Sequence, residues 1–229
     1  MENVADNLKR INERIAAACA RCGRDPATVE LVAVSKKKPA SLISAAAAAG
    51  QRLFGENYVQ EFCAKYDELD PSLRWHFIGA LQSNKVKYLR GKTELIHTVD
   101  RLSLAQEIER QWRKIDAVAE VLVQVNIAAE PTKAGVAPEQ LSELVEQVAA
   151  LPHVRVRGLM TLPPPGDSAE DSRRWFAHLR QLAADITARA VANVEMRHLS
   201  MGMSNDFEVA IEEGATLVRV GSAIFGARD

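Results

Sequence analysis

Leu31-Val32-Ala33-Val34-Ser35-Lys36-Lys37-Lys38-Pro39 is the stretch that decides the fold. Its first half is a short apolar, partly β-branched run, as expected of a strand covered on both faces. It ends in a polar loop. Pro39 to Ala49, followed by Gly50, then reads as a helix opened by proline and closed by glycine. The same order of strand, loop and helix repeats to the C-terminus.

Strand-like runs fall at 30–35, 52–55, 75–79, 94–99, 119–127, 154–160, 195–199 and 216–220. Helical stretches lie between them at 39–49, 57–69, 83–90, 101–115, 138–150, 168–191 and 205–213. Regular alternation implies a parallel sheet. Eight such units in 229 residues predict an α/β fold closed as a (β/α)8 TIM barrel. An open doubly wound sheet is the alternative. Val4, Leu8, Ile11, Ile15 and Ala18 recur at helical spacing before Gly23, which predicts an extra N-terminal helix over 3–21. Only Ser222 to Asp229 follow the eighth strand, too few for a full final helix, and the N-terminal helix is expected to cover that gap. No composition shift marks a boundary, so residues 1–229 read as a single domain. Pro163-Pro164-Pro165-Gly166 fits a loop above the sixth strand.

Composition narrows the function. Lys plus Arg is 29 and Asp plus Glu is 30, so the net charge is −1. That balance gives no global case for binding nucleic acid or an anionic membrane. No run approaches the roughly 18–20 apolar residues of a membrane helix. The start, Met1-Glu2-Asn3-Val4-Ala5-Asp6, lacks the basic and apolar regions of a signal peptide. With three cysteines and no export signal, a reducing cytoplasm is the expected location. Cys19 and Cys22 form a C-x-x-C near the end of a helix, where they read as packing residues rather than a redox pair.

In a barrel, chemistry belongs at the C-terminal ends of the strands. By strand parity Val32, Val34 and Lys36 share a face, and Lys37 takes the other. Lys36 is thus the lysine best placed to rise from the core into the barrel mouth. A poorly solvated lysine has a lowered pKa and can condense with an aldehyde. The alternative is three solvated lysines ahead of a helix. Strand seven ends in His198-Leu199-Ser200-Met201-Gly202-Met203-Ser204-Asn205-Asp206, and strand eight in Arg219-Val220-Gly221-Ser222-Ala223. Loops after strands seven and eight commonly bind phosphate in barrels. Gly202 and Gly221 would admit an anion close to backbone N–H groups, with Ser200, Ser204 and Ser222 as hydroxyl donors. Turn glycines and a Ser204 helix cap are the simpler account. Arg219, inside an apolar strand, must meet either a carboxylate or a ligand acceptor. Gln124 and Asn126 share a face of strand five and could form a polar layer in the barrel, though structural hydrogen bonding explains them adequately. His76, His97 and His198 show no metal-ligand spacing and read as core histidines. Neither a G-x-G-x-x-G nor a P-loop occurs.

Several stretches together resemble the pyridoxal phosphate homeostasis protein family, relatives of the alanine racemase barrel. They are Ala33–Lys36, Phe54-Gly55-Glu56-Asn57-Tyr58-Val59-Gln60-Glu61, Trp75-His76-Phe77-Ile78-Gly79-Ala80-Leu81-Gln82-Ser83-Asn84-Lys85, Arg157–Met160, Leu199–Ser204 and Val218–Gly226. They run across nearly the whole chain, in order. The resemblance implies a barrel like those of fold type III pyridoxal 5′-phosphate (PLP) proteins. It implies that Lys36 holds PLP as a Schiff base, and that Ser200, Ser204, Gly221 and Ser222 hold its phosphate. Arg219 would face the pyridine nitrogen, and Asn57 and Met160 would line the surroundings. The family's implied role is PLP buffering or carriage without robust turnover, with PLP-requiring apo-enzymes as candidate recipients.

Two features fit a carrier. PLP enzymes that build a carbanion usually set a carboxylate against the ring nitrogen, and an arginine cannot supply that proton; alanine racemase tolerates the arginine, so Arg219 alone does not exclude chemistry. The racemases add a C-terminal β-domain that carries a tyrosine, and nothing in this sequence corresponds to it. Tyr58 is the nearby candidate second acid/base, and packing explains it as well. The expectation is an open mouth and a monomer. A single-domain PLP-dependent racemase is the first rival, and a PLP-free barrel enzyme acting on a phosphorylated metabolite is the second.

Overall fold

Eight parallel strands pair in chain order, and the last closes on the first, in a computed structural model that describes residues 3–130 and 133–226. The strands are β1 Glu30–Val34, β2 Leu53–Glu56, β3 Arg74–Phe77, β4 Leu95–Val99, β5 Ala119–Val125, β6 Val154–Thr161, β7 Val194–Ser200 and β8 Leu217–Val220. Closure leaves no sheet edge to protect. The expected barrel is therefore present and the open sheet is not.

Helices α1 Val4–Arg21, α2 Ala40–Ala48, α3 Val59–Glu68, α4 Leu102–Arg113, α5 Leu141–Ala149, α6 Arg173–Ala188, α7 Phe207–Glu212 and α8 Ser222–Phe225 pack outside the strands. Three expected helices differ. Residues Ser83–Tyr88 form a 3-10 segment, since six residues stopped by Gly91 at φ 70° leave too few i→i+4 bonds to offset nucleation. The stretch 138–150 opens with a 3-10 turn at Pro138–Gln140 before α5. The stretch 168–191 opens with another at Ala169–Ser172, fixed by a reciprocal Ser168–Asp171 capping box.

The N-terminal helix does fill the gap beside the last strand. Leu8, Ile11 and Ile15 are buried, each worth about 2 kcal/mol. α1 packs against α2, α7 and α8. Asn7 donates to the Ile224 carbonyl at 2.9 Å, and Arg14 pairs with Glu208 at 2.8 Å. Asn3 caps the helix by accepting the Ala5 N–H, and Gly23 at φ 69° turns the chain away.

Inside the barrel, Val32, Leu53, Leu95, Leu122, Met160 and Leu217 form an apolar plug separate from the main core. Parity places Val34, His76, His97, Ser200 and Arg219 on the same inner faces, one step nearer the C-terminal mouth. Gly158, at φ 151°, lets β6 and β7 approach so closely that a Cβ there would meet the His198 carbonyl oxygen at 1.9 Å. Gln124 and Asn126 do not pair across the barrel. Gln124 donates to Ala134 O, and Asn126 donates to Glu130 O and Lys133 O, tying down the loop after β5. No helix among the described residues is long and apolar enough to cross a membrane.

Candidate functional site

A cavity of about 620 Å³ opens at the C-terminal ends of the strands, where barrel chemistry is expected. Lys36, Asn57, Ser204, Arg219, Gly221 and Ser222 all line it. These residues come from the ends of β1, β2, β7 and β8, far apart in sequence. Val34 and Ile78 give it an apolar wall, and Leu162–Ala169 forms one side. The prolyl run thus does stand above strand six.

Lys36 and Lys38 both line the cavity, whereas Lys37 turns away and donates its backbone N–H to Glu61 at 2.5 Å. All three lysines lie past the end of β1 at Val34, so the turn at Lys37, with φ 58°, rather than strand parity, sets them apart.

Arg219 is 4% exposed and has no carboxylate partner among the described residues. It donates to the Ser200 hydroxyl at 2.5 Å and to the Thr161 carbonyl at 2.9 Å. Burial pulls its pKa down to about 10, so it stays charged at neutral pH. The chain continues inward from Ser200 Oγ to His97 Nδ1 at 2.9 Å, and from His97 Nε2 to His76 Nδ1 at 3.0 Å. Burial holds both imidazoles neutral, with His76 down to about 3 and His97 well below the ordinary value. A neutral chain can pass donors one way: Arg219 to Ser200, Ser200 to His97, His97 to His76. Two of the three strand histidines are therefore core residues with partners. His198 differs, because its Nδ1 is buried without one.

On the opposite side, Ser204 Oγ lies 3.4 Å from the Gly221 N–H and 3.2 Å from the Ser222 hydroxyl. The residue flanking α7 is Asp206, so Ser204 is not a helix cap. Asp206 accepts the Met203 N–H at 2.7 Å and the Ser172 hydroxyl at 3.0 Å, tying the loop after β7 to the end of the prolyl loop. Gly202, at φ 88°, is pressed against α7, where a Cβ would meet the Ala210 methyl at 2.6 Å. Sequence reading did not single out Asp206 or Ser172. Their signal was weak, an acid and a serine in two separate loops.

Asn57 presents an open acceptor. Its Oδ1 is buried with no hydrogen-bond partner among the described residues, and the residue lines the cavity. Gly79 packs against its backbone so tightly that a Cβ would lie 2.1 Å from the Asn57 carbonyl oxygen. Met160 and Ser200 lie below the cavity rather than on its lining, Met160 in the apolar plug and Ser200 under Arg219. Tyr58 is exposed and does not line the cavity. Cys19 and Cys22 end α1, Cys19 buried and Cys22 donating to backbone carbonyls, both as free thiols.

The chain has counterparts among known proteins. Residues 6–229 match the family described as alanine racemase, N-terminal domain. A pyridoxal phosphate homeostasis protein of Aquifex aeolicus is 50% identical over 227 residues, spanning 99% of each chain. The Pseudomonas aeruginosa protein of the same name is 47% identical, over 100% of this chain and 97% of that one. The structure of PipY from Synechococcus elongatus with PLP bound superposes with a TM-score of 0.82 at 40% identity, covering 94% of this chain and 100% of PipY. The chain therefore belongs to the pyridoxal phosphate homeostasis protein family, within the alanine racemase N-terminal domain family.

Proposed function

We propose that this protein binds PLP in the mouth cavity through Lys36 and serves PLP homeostasis as a buffer or carrier. The observation that carries the reading is Arg219: a buried, charged guanidinium without a carboxylate partner among the described residues, lining the same cavity as Lys36. A buried charge needs a partner. An aromatic nitrogen acceptor supplied by a ligand fits that need. The unpartnered Asn57 Oδ1 fits a ligand hydroxyl. The Ser204–Gly221–Ser222 cluster offers hydroxyl and N–H donors for a phosphate group. The bound PLP of PipY and the names of the relatives support the same reading.

PLP, when bound, would supply an electrophilic aldehyde, and Lys36 Nζ would be the amine that holds it. Ser204, Gly221 and Ser222 orient the anionic tail. Arg219 would donate to the ring nitrogen of bound PLP and could not protonate it, because guanidinium keeps its own protons. Ser200 and Met160 act from below, Ser200 by fixing Arg219 and Met160 by filling the floor. A nitrogen without its proton draws electrons weakly. That suits holding the cofactor, and it does not by itself exclude turnover.

The test is an absorbance spectrum of the PLP-loaded protein before and after borohydride, followed by peptide mass mapping. The expected result is a pyridoxyl group on Lys36 and loss of the visible band in Lys36→Ala. A pyridoxyl group on Lys37 or Lys38, or none at all, would overturn the assignment.

A further inference from the structure

Glu56, at the end of β2, is fully buried. Its Oε1 accepts from the Ser35 hydroxyl at 2.6 Å and from the Lys65 ammonium at 2.7 Å, while Oε2 has no partner. Lys65, buried on α3, donates also to Glu61 Oε1 and to the Ser35 carbonyl, each at 2.7 Å. Glu61 accepts the Lys37 N–H. Lys36 thus sits between two residues that one ionic cluster grips by side chain and backbone. Lys37 itself is held at φ 58°, a region L side chains rarely adopt.

We propose that Glu56, Lys65 and Glu61 are positioning residues that hold the Ser35–Lys37 turn and thereby aim Lys36 into the mouth cavity. What Lys36 does there rests on the PLP reading; how it is held does not. Stability alone is a poor reason for such a cluster. Desolvation offsets most of the Coulombic gain of a buried pair, and apolar residues of the same size often do as well. Burial pushes the Glu56 carboxyl up, against the opposing pull of Lys65 and Ser35, and one of its oxygens stays unpaired. Strained backbone persists only where its surroundings over-determine it, and it gathers at functional positions. Here the over-determination converges on the residues either side of Lys36.

The experiment compares Glu61→Ala, Glu61→Gln and Lys65→Met with Arg157→Ala. Arg157 pairs with Glu120 and Glu195 at the opposite end of the barrel. Two rates are read: amide hydrogen exchange at Lys37 in the PLP-free protein, and PLP release from the loaded protein, followed by the visible band with an aldehyde scavenger present. Glu61→Ala and Lys65→Met should each speed both rates about tenfold, the scale on which loss of an outer support loosens a bound group. Glu61→Gln keeps an accepting oxygen and should recover most of the loss. Arg157→Ala should lower the melting temperature and leave both rates alone. Unchanged rates in Glu61→Ala, a Gln variant as fast as the Ala variant, or an equal response in Arg157→Ala would each overturn the proposal. Should Lys65→Met fail to fold, the two Glu61 variants decide, since Glu61 is only half-buried. A wild-type protein with no pyridoxyl group on Lys36 would sink the PLP reading alone, and exchange at Lys37 would still judge the positioning.

Discussion

Arg219 on β8 and Ser200 on the neighbouring β7 are joined by a 2.5 Å hydrogen bond inside the barrel, with Ser200 also contacting His97. The bond holds the guanidinium without neutralising it. Its charge is left to act on whatever enters the cavity it lines.

Replacing Arg219 by glutamate should invert that action. A carboxylate there would keep a proton on the ring nitrogen of bound PLP and strengthen its electron withdrawal. The visible spectrum should shift, and transamination or racemisation of an amino acid should rise above background. If the variant retains PLP yet neither spectrum nor activity changes, Arg219 does not face the ring nitrogen.

Ser200→Ala should destabilise the fold, because Arg219 Nη1 and His97 Nδ1 each lose a buried partner. A loss of about 2 kcal/mol is expected, measured by urea denaturation. Ser200→Thr, which keeps the hydroxyl, should recover part of it. Equal stability of the Ala variant and the wild type would mean the chain is not under tension to stay bonded.

Acid should weaken the protein through His76 and His97. Both have folded pKa values below the unfolded value near 6.5. The unfolded chain therefore binds protons first, and stability falls as pH drops below about 6.5, by up to about 1.4 kcal/mol per unit for each histidine. Above that pH neither contributes to the slope. Denaturation midpoints between pH 7.5 and 5 check this, and His76→Gln should flatten the profile by one proton's share. An unaltered slope in that variant would show that His76 is not held neutral.

Gly79→Ala tests the wall behind Asn57. The added Cβ would lie 2.1 Å from the Asn57 carbonyl oxygen, so one backbone must move. PLP affinity should fall at least about tenfold, alongside a loss of stability of about 2 kcal/mol or more. Titration of PLP-free protein by absorbance measures the first effect and thermal melting the second. Wild-type affinity in this variant would mean Asn57 does not contribute to the site.

Strand parity made the inner faces legible: Val32 and Val34 differ by two and so share a face of β1. Lys36 lies past the end of β1, and it reaches the cavity, together with Lys38, from the turn that follows. Arg219 stood out as a charge in an apolar strand. Its partner did not. Whether it met a carboxylate or a hydroxyl depended on Ser200 and Thr161, contributed by other strands. Segments governed by end effects were also opaque. Ser83–Tyr88 carries helical residues, yet its length decided for a 3-10 turn.

Local chain physics determined the alternation of strand and helix, the closure it implies at this length, and the face on which each strand residue stands. Those properties depend on neighbours a few positions apart. Only the tertiary structure decided how the polar groups are partnered: among the described residues Arg219 meets a hydroxyl and a carbonyl but no carboxylate, Asn57 Oδ1 meets no donor, and Lys65 and Glu61 grip the residues on either side of Lys36. Hydrogen bonding at a barrel mouth is settled by ångström distances between strand ends that lie up to nearly two hundred residues apart in the chain, and no local pattern encodes such distances.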